Sequence, residues 1–171
     1  ATVFLAEYYW ATGDPEAFEQ REKMADFLAT YVNPAGGVGH KKLKGTYRQL
    51  SFSPAAGLTV LGLTMAAECG VAIDREALEK ALAYYKLPDD PDFKPNAVSY
   101  GGTLVHRPPG QWWDGAFRTA VYVSTLSLLD RHPERREAML DWLASIPHHL
   151  TSTHSSPTHG EFFAALVLAS E

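Results

Sequence analysis

GDPEAFEQREKMADFLATY, at residues 13–31, sets the reading of the chain, because two later stretches repeat its plan. VAIDREALEKALAYYK follows at residues 71–86 and RHPERREAMLDWLASI at residues 131–146. Each opens on a helix-start signal. Asp14 precedes Pro15, so an aspartate caps and a proline takes the first helical position. Asp74 caps the second helix. His132, a weaker capping residue, precedes Pro133 in the third. These starts recur at a period of about 60 residues, which is the mark of a repeat architecture.

Apolar positions inside the three stretches follow helical spacing. In the second they are Ala77, Leu78, Ala81, Leu82 and Tyr85; in the third, Ala138, Met139, Trp142 and Leu143. The opposite faces carry Arg75, Glu76, Glu79 and Lys80, and Arg135, Arg136, Glu137 and Asp141. One wet face on each predicts outer helices. The stretches between them differ in kind. Pro54–Cys69 and Gly115–Leu129 are almost uncharged, and Thr2–Ala11 and His159–Ser170 fit the same type. A helix apolar all round is expected to be buried on all sides. Residues 1–171 therefore read as one all-α domain of about three helical hairpins, each an inner helix, a short turn, an outer helix and a long return loop. The chain begins and ends in helical sequence with no initiator Met, so an excerpt of a longer chain is expected.

The return loops are residues 33–53, 94–114 and 147–159. Between them they hold two Gly-Gly pairs, aromatic residues and all but one of the seven histidines. Sites commonly sit on loops that a rigid scaffold carries. The candidate acid–base group comprises Tyr47, Arg48, Tyr100, His106 and His154, since Tyr and His exchange protons and Arg neutralises a carboxylate. Trp112 and Trp113 are candidates for stacking on a sugar ring, and Asp114 and His40 are further ligand-binding candidates. Asp114 also reads as an N-cap. Loop histidines His40, His106 and His154 have a metal-binding alternative, but their spacing matches no strict metal motif, and no metal or other cofactor is assigned. Gly36–Gly37 and Gly101–Gly102 lack the Gly-Lys-Ser/Thr ending of a phosphate loop and read as structural turns.

Composition excludes several classes. Hydrophobic residues make up 46% and charged residues 20% of the 171, as in ordinary globular proteins. The net charge of −5 leaves no footprint for nucleic acid, and the one basic cluster, Lys41, Lys42, Lys44 and Arg48, is short. The apolar run Ala55–Ala67 falls short of the roughly 20 residues of a membrane span, so a soluble protein is expected. Cys69 is the single cysteine, which leaves the redox compartment open.

AGGVGH at 35–40 and SYGGTLVH at 99–106, placed before apolar helices that alternate with charged ones, resemble the α/α-toroid superfamily of squalene-cyclase-like and prenyltransferase-like proteins. QLSFSPAAGLTVLGLTMAAECGVAID (49–74), YGGTLVHRPPGQWWDG (100–115) and THSSPTHGEFF (153–163) look closest to bacterial domain-of-unknown-function proteins of that type. The resemblance implies an α/α-toroid arc. The marks of its known enzymes are missing: there is no DxDD acid motif, no Asp–x–Cys zinc pattern at Cys69, and ECGV is not a thioester run. Two functions are expected from this. One is a binding or scaffold module that recognises a glycan, peptide or partner domain through the loops. The other is a carbohydrate-active lyase or hydrolase using loop His and Tyr, with metal assistance possible. An open arc would also bare apolar inner-helix surface, so further hairpins of the parent chain or a partner subunit are expected to cover it.

Overall fold

The computed structural model describes residues 1–38, 53–90, 92–111, 115–150 and 157–170. The protein is all-α. Its helices are α1 (Thr2–Thr12), α2 (Pro15–Ala29), α3 (Ser53–Glu68), α4 (Arg75–Ala83), α5 (Ala116–Leu128), α6 (Pro133–Ala144) and α7 (Pro157–Ser170). Strand is confined, among the described residues, to an antiparallel ribbon of β1 (Ala97–Val98) and β2 (Leu104–Val105), with Ala97 opposite Val105 and Val98 opposite Leu104. No helix among the described residues is long and apolar enough to cross a membrane.

The chain forms two compact units, Ala1–Tyr84 and Tyr85–Glu171. In the first, α1 packs on α2 and α3, α2 packs on α3, and α3 packs on α4. The helix starts follow the sequence signals. Asp14 Oδ1 accepts from the Glu16 amide at 2.9 Å with Pro15 behind it, and Asp74 Oδ1 accepts from the Ala77 amide at 2.9 Å. Each bond satisfies a donor that the first turn leaves without an intrahelical partner. Gly13, with φ 70°, ends α1 in the left-handed conformation and sends its amide back to the Tyr9 carbonyl.

Helix α3 fills the middle of this unit, with Ala56, Val60, Leu61, Leu63, Met65 and Ala66 buried. Its Gly62 faces α1 and α2: a Cβ there would meet Leu28 at 3.0 Å and Thr2 at 3.3 Å. A larger residue would push these helices apart. After α2, the Asn33 side chain accepts from the amides of Ala35 and Gly37 and shapes a tight turn. At its centre Gly36 takes φ 82° against α4, where a Cβ would collide with the Lys80 carbonyl. Only glycine meets both demands.

In the second unit α5 packs on the ribbon, α6 and α7, and α6 packs on α7. Every residue of α5 from Ala116 to Leu126 is buried, as expected for a helix without a wet face. Met139, Trp142 and Leu143 of α6 are buried as well. The third helix start differs from the other two. Pro133 holds the first helical position, but His132 lies at φ 52° and its imidazole makes no capping bond.

The expectation that all four weakly charged helices are buried on every side holds for α5 up to Leu126, holds for most of α3 though Leu58 is exposed, and fails for α1 and α7. Phe4 is 69% exposed and Phe162 58%, while Ala6 and Ala164 behind them are fully buried. These two helices carry apolar residues on an outward face as well as on an inward one.

Candidate functional site

The second return loop carries the described part of the predicted site, and the β1–β2 ribbon gives it a fixed shape. Gly102, at φ 81°, lets the chain reverse between the strands. The Ser99 amide donates to the Thr103 carbonyl at 2.9 Å and the Gly102 amide to the Ser99 carbonyl at 3.1 Å. Just below the strands the Arg107 amide donates to Asn96 Oδ1 at 2.7 Å, and Asn96 Nδ2 donates to the Arg107 carbonyl at 2.8 Å. Helix α5 grips the same ribbon from the side. Thr119 Oγ1 accepts from the Val98 amide at 3.0 Å, and Arg118 Nε donates to the Val98 carbonyl at 3.3 Å.

Tyr100 sits at the ribbon tip and is 43% exposed. The guanidinium carbon of Arg118 lies 5.4 Å from the centre of its ring, within cation–π range. A buried cation thus backs an exposed aromatic ring on a hydrogen-bonded turn.

His106 lies past the base of the ribbon. Its Nδ1 is 3.0 Å from the Lys94 carbonyl oxygen. A carbonyl only accepts, so Nδ1 carries the proton and Nε2 is the acceptor nitrogen of the neutral ring. His106 and Tyr100 do not converge. The ribbon register puts them four residue levels apart, about 13 Å along the backbone at strand rise.

The other predicted site residues, His40, Tyr47, Arg48, Trp112, Trp113, Asp114 and His154, lie outside the described residues. Among the described residues no three His, Cys, Asp or Glu side chains gather as metal ligands. Cys69 is a free, buried thiol, and burial raises its pKa above the ordinary range against the opposing charge of Arg21. It is therefore protonated at neutral pH and a poor nucleophile.

Three residues that hold the ribbon had no functional signal in the sequence. Arg118 and Thr119 lie in a helix read as uniform apolar core, and Asn96 lies in a loop. The informative cue was one arginine in an otherwise uncharged helix, since a charge buried in such a place needs acceptors.

A family profile described as "Domain of unknown function (DUF6288)" matches residues 1–169. The chain belongs to this family. That agrees with the domain-of-unknown-function part of the sequence resemblance. No curated protein and no solved structure matches the DUF6288 chain.

Proposed function

We propose that this DUF6288 domain is a binding module of α/α-toroid type that recognises a glycan through its loop end, with Tyr100 as a stacking platform. The observation that carries this is the exposed Tyr100 ring backed by the Arg118 guanidinium on a ribbon that α5 holds in place. A flat ring fixed before the ligand arrives costs little ordering on binding, and an aromatic face offers apolar area together with a hydroxyl for hydrogen bonding. The toroid reading rests on the alternation of weakly charged and charged-faced helices, with α1 against α3 and α5 against α7. It assigns neighbouring hairpins of the same kind to the apolar faces of α1 and α7, as stacked repeats cover one another. Trp112 and Trp113 follow in the same stretch of sequence and are assigned to the same ligand in this reading.

A glycan array tests the proposal. The expected result is saturable binding to at least one glycan that Tyr100→Ala weakens by about tenfold, roughly 1.4 kcal/mol, and that Tyr100→Phe largely keeps. Equal binding by wild type and Tyr100→Ala, or no glycan bound, overturns it. Mass spectrometry of the bound glycan after incubation distinguishes the carbohydrate-active alternative, which requires cleavage products.

A further inference from the structure

A cavity of about 620 Å³ opens in the second unit, away from the ribbon tip. Phe93, Lys94 and Pro95 form one wall; His132, Pro133, Glu134, Arg135 and Ala138 of the α6 amino end form the other. Two observations give it a chemical character. The first concerns charge. Lys94 and Arg135 bring two cations to one cavity, and neither pairs with a carboxylate among the described residues, although Glu134 lines the same space. One positive charge is left over.

The second concerns hydrogen bonding. His132 supplies no side-chain cap, and Pro133 has no amide hydrogen. The Arg136 amide donates to the His132 carbonyl at 3.0 Å, and it is the first amide of α6 with a backbone acceptor. The amides of Glu134 and Arg135 have none among the described residues. They stand at the positive end of the helix dipole.

Both cations are carried by anchored backbone or side chain. The Lys94 carbonyl accepts from His106 Nδ1 at 3.0 Å, which pins that residue's main chain. Arg135 Nη1 donates to the hydroxyl of Tyr122 at 3.3 Å. Tyr122 is 4% exposed, and burial raises its pKa, so the hydroxyl stays neutral and does not cancel the guanidinium charge. The remaining lining is apolar: a phenyl ring, two proline rings and an alanine methyl.

We propose that this cavity binds a small organic anion, whose carboxylate or phosphate is held by Lys94, Arg135 and the amino end of α6 while its apolar body lies against Phe93 and Pro133. A planar guanidinium pairs two oxygens of either head group, and an ammonium adds a point charge. Oxyanions commonly settle at a helix amino end where free amides point outward. The apolar lining distinguishes this cavity from a bare ion site, because an inorganic anion would leave Phe93 and the proline rings in contact with water.

Benzoate and phenyl phosphate, with benzyl alcohol as the neutral control, are suitable probes for NMR titration of the isotope-labelled chain. The expected result is saturable binding of at least one anion below about 10 mM, with the largest shifts at the amides of Glu134 and Arg135. Lys94→Gln and Arg135→Gln each weaken binding by about tenfold, and Tyr100→Ala leaves it unchanged. Whichever anion binds more tightly identifies the head group. Three outcomes overturn the proposal: neither anion saturates, benzyl alcohol binds as well as the anions, or the wild-type shifts map elsewhere. The last reading needs no variant, so it holds even if a substitution prevents folding.

Discussion

The guanidinium carbon of Arg21 stands 4.3 Å from the centre of the Tyr9 ring, so a full positive charge is buried against an aromatic face. Phe18 lies at 4.8 Å on the same group, and Arg21 Nη2 reaches the Cys69 carbonyl only at 3.5 Å. The residue has no exposed surface, and its Nε and Nη1 have no hydrogen-bond partner among the described residues. Burying an unpaired charge is costly, and a hydrophobic residue of similar length often does as well or better. Arg21→Met is therefore expected to be neutral or to stabilise by about 1–2 kcal/mol. Arg21→Ala, which loses the packing on Tyr9 and Phe18, is expected to destabilise by about 2–4 kcal/mol. Urea unfolding of the two variants checks this; equal losses in both would show that the charge itself holds the helices.

Gly36→Ala and Gly13→Ala separate two costs that both glycines suggest. Gly13 has φ 70° with nothing near a Cβ, so alanine there meets only the left-handed penalty of about 1–2 kcal/mol. Gly36 adds the collision with the Lys80 carbonyl, and its loss is expected to exceed that of Gly13→Ala by about 1–3 kcal/mol. Thermal unfolding of the pair tests the difference. Similar losses would mean that the turn moves away from α4 without cost.

Asn96→Ala removes both bonds of the clamp on Arg107 and strands a backbone amide and carbonyl. The expected loss is about 1–3 kcal/mol. Faster amide exchange at Arg107 should accompany it, while the α2 amides stay protected. A change confined to global stability, with Arg107 still protected, would contradict the clamp.

His132 carries a pH dependence of defined sign. Partial burial, then the charges of Arg135 and Arg131, hold its pKa below the ordinary imidazole range. The unfolded chain therefore takes up the proton first as pH falls. Stability from neutral His132 is fully present above about pH 6.5 and is lost as pH falls through the lower folded value. The effect is small because the residue is solvent-exposed. An NMR titration should place its midpoint below about 6.5, and His132→Asn, which tolerates the left-handed backbone, should reduce the loss of Tm on acidification. A midpoint at or above the ordinary value contradicts the sign.

The helices were legible because each has a start signal and a periodicity. Asp14–Pro15 and Asp74 mark starts that the structure keeps within a few residues, and the uncharged runs became α3 and α5. The ribbon was not legible. Two-residue strands carry no alternation to read, and Ala97–Val98 and Leu104–Val105 are held as a ribbon by partners distant in sequence, Thr119 and Arg118 on Val98 and the Lys86 carbonyl on the Leu104 amide, together with the Asn96 clamp on Arg107. The cavity was hidden for a related reason. Lys94 and Arg135 are far apart in sequence, and the sequence offers His132 as a cap, whereas in the structure His132 is left-handed and its side chain caps no amide of α6. Exposure of α1 and α7 could not be read from their composition, since an apolar helix does not declare how many neighbours it has.

The ribbon joins two jobs that rest on different residues. The bonds from α5 and Asn96 meet the ribbon at Val98 and Arg107, and the tip beyond them is closed by backbone bonds of its own, Ser99 to Thr103 and Gly102 to Ser99, with the Tyr100 ring resting against Arg118. The tip is thus an exchangeable cartridge on a permanent socket. A chain built this way can acquire a new specificity by rewriting a few loop letters, with the scaffold left untouched, and the same property makes residues 99–103 the natural place to graft a foreign recognition sequence.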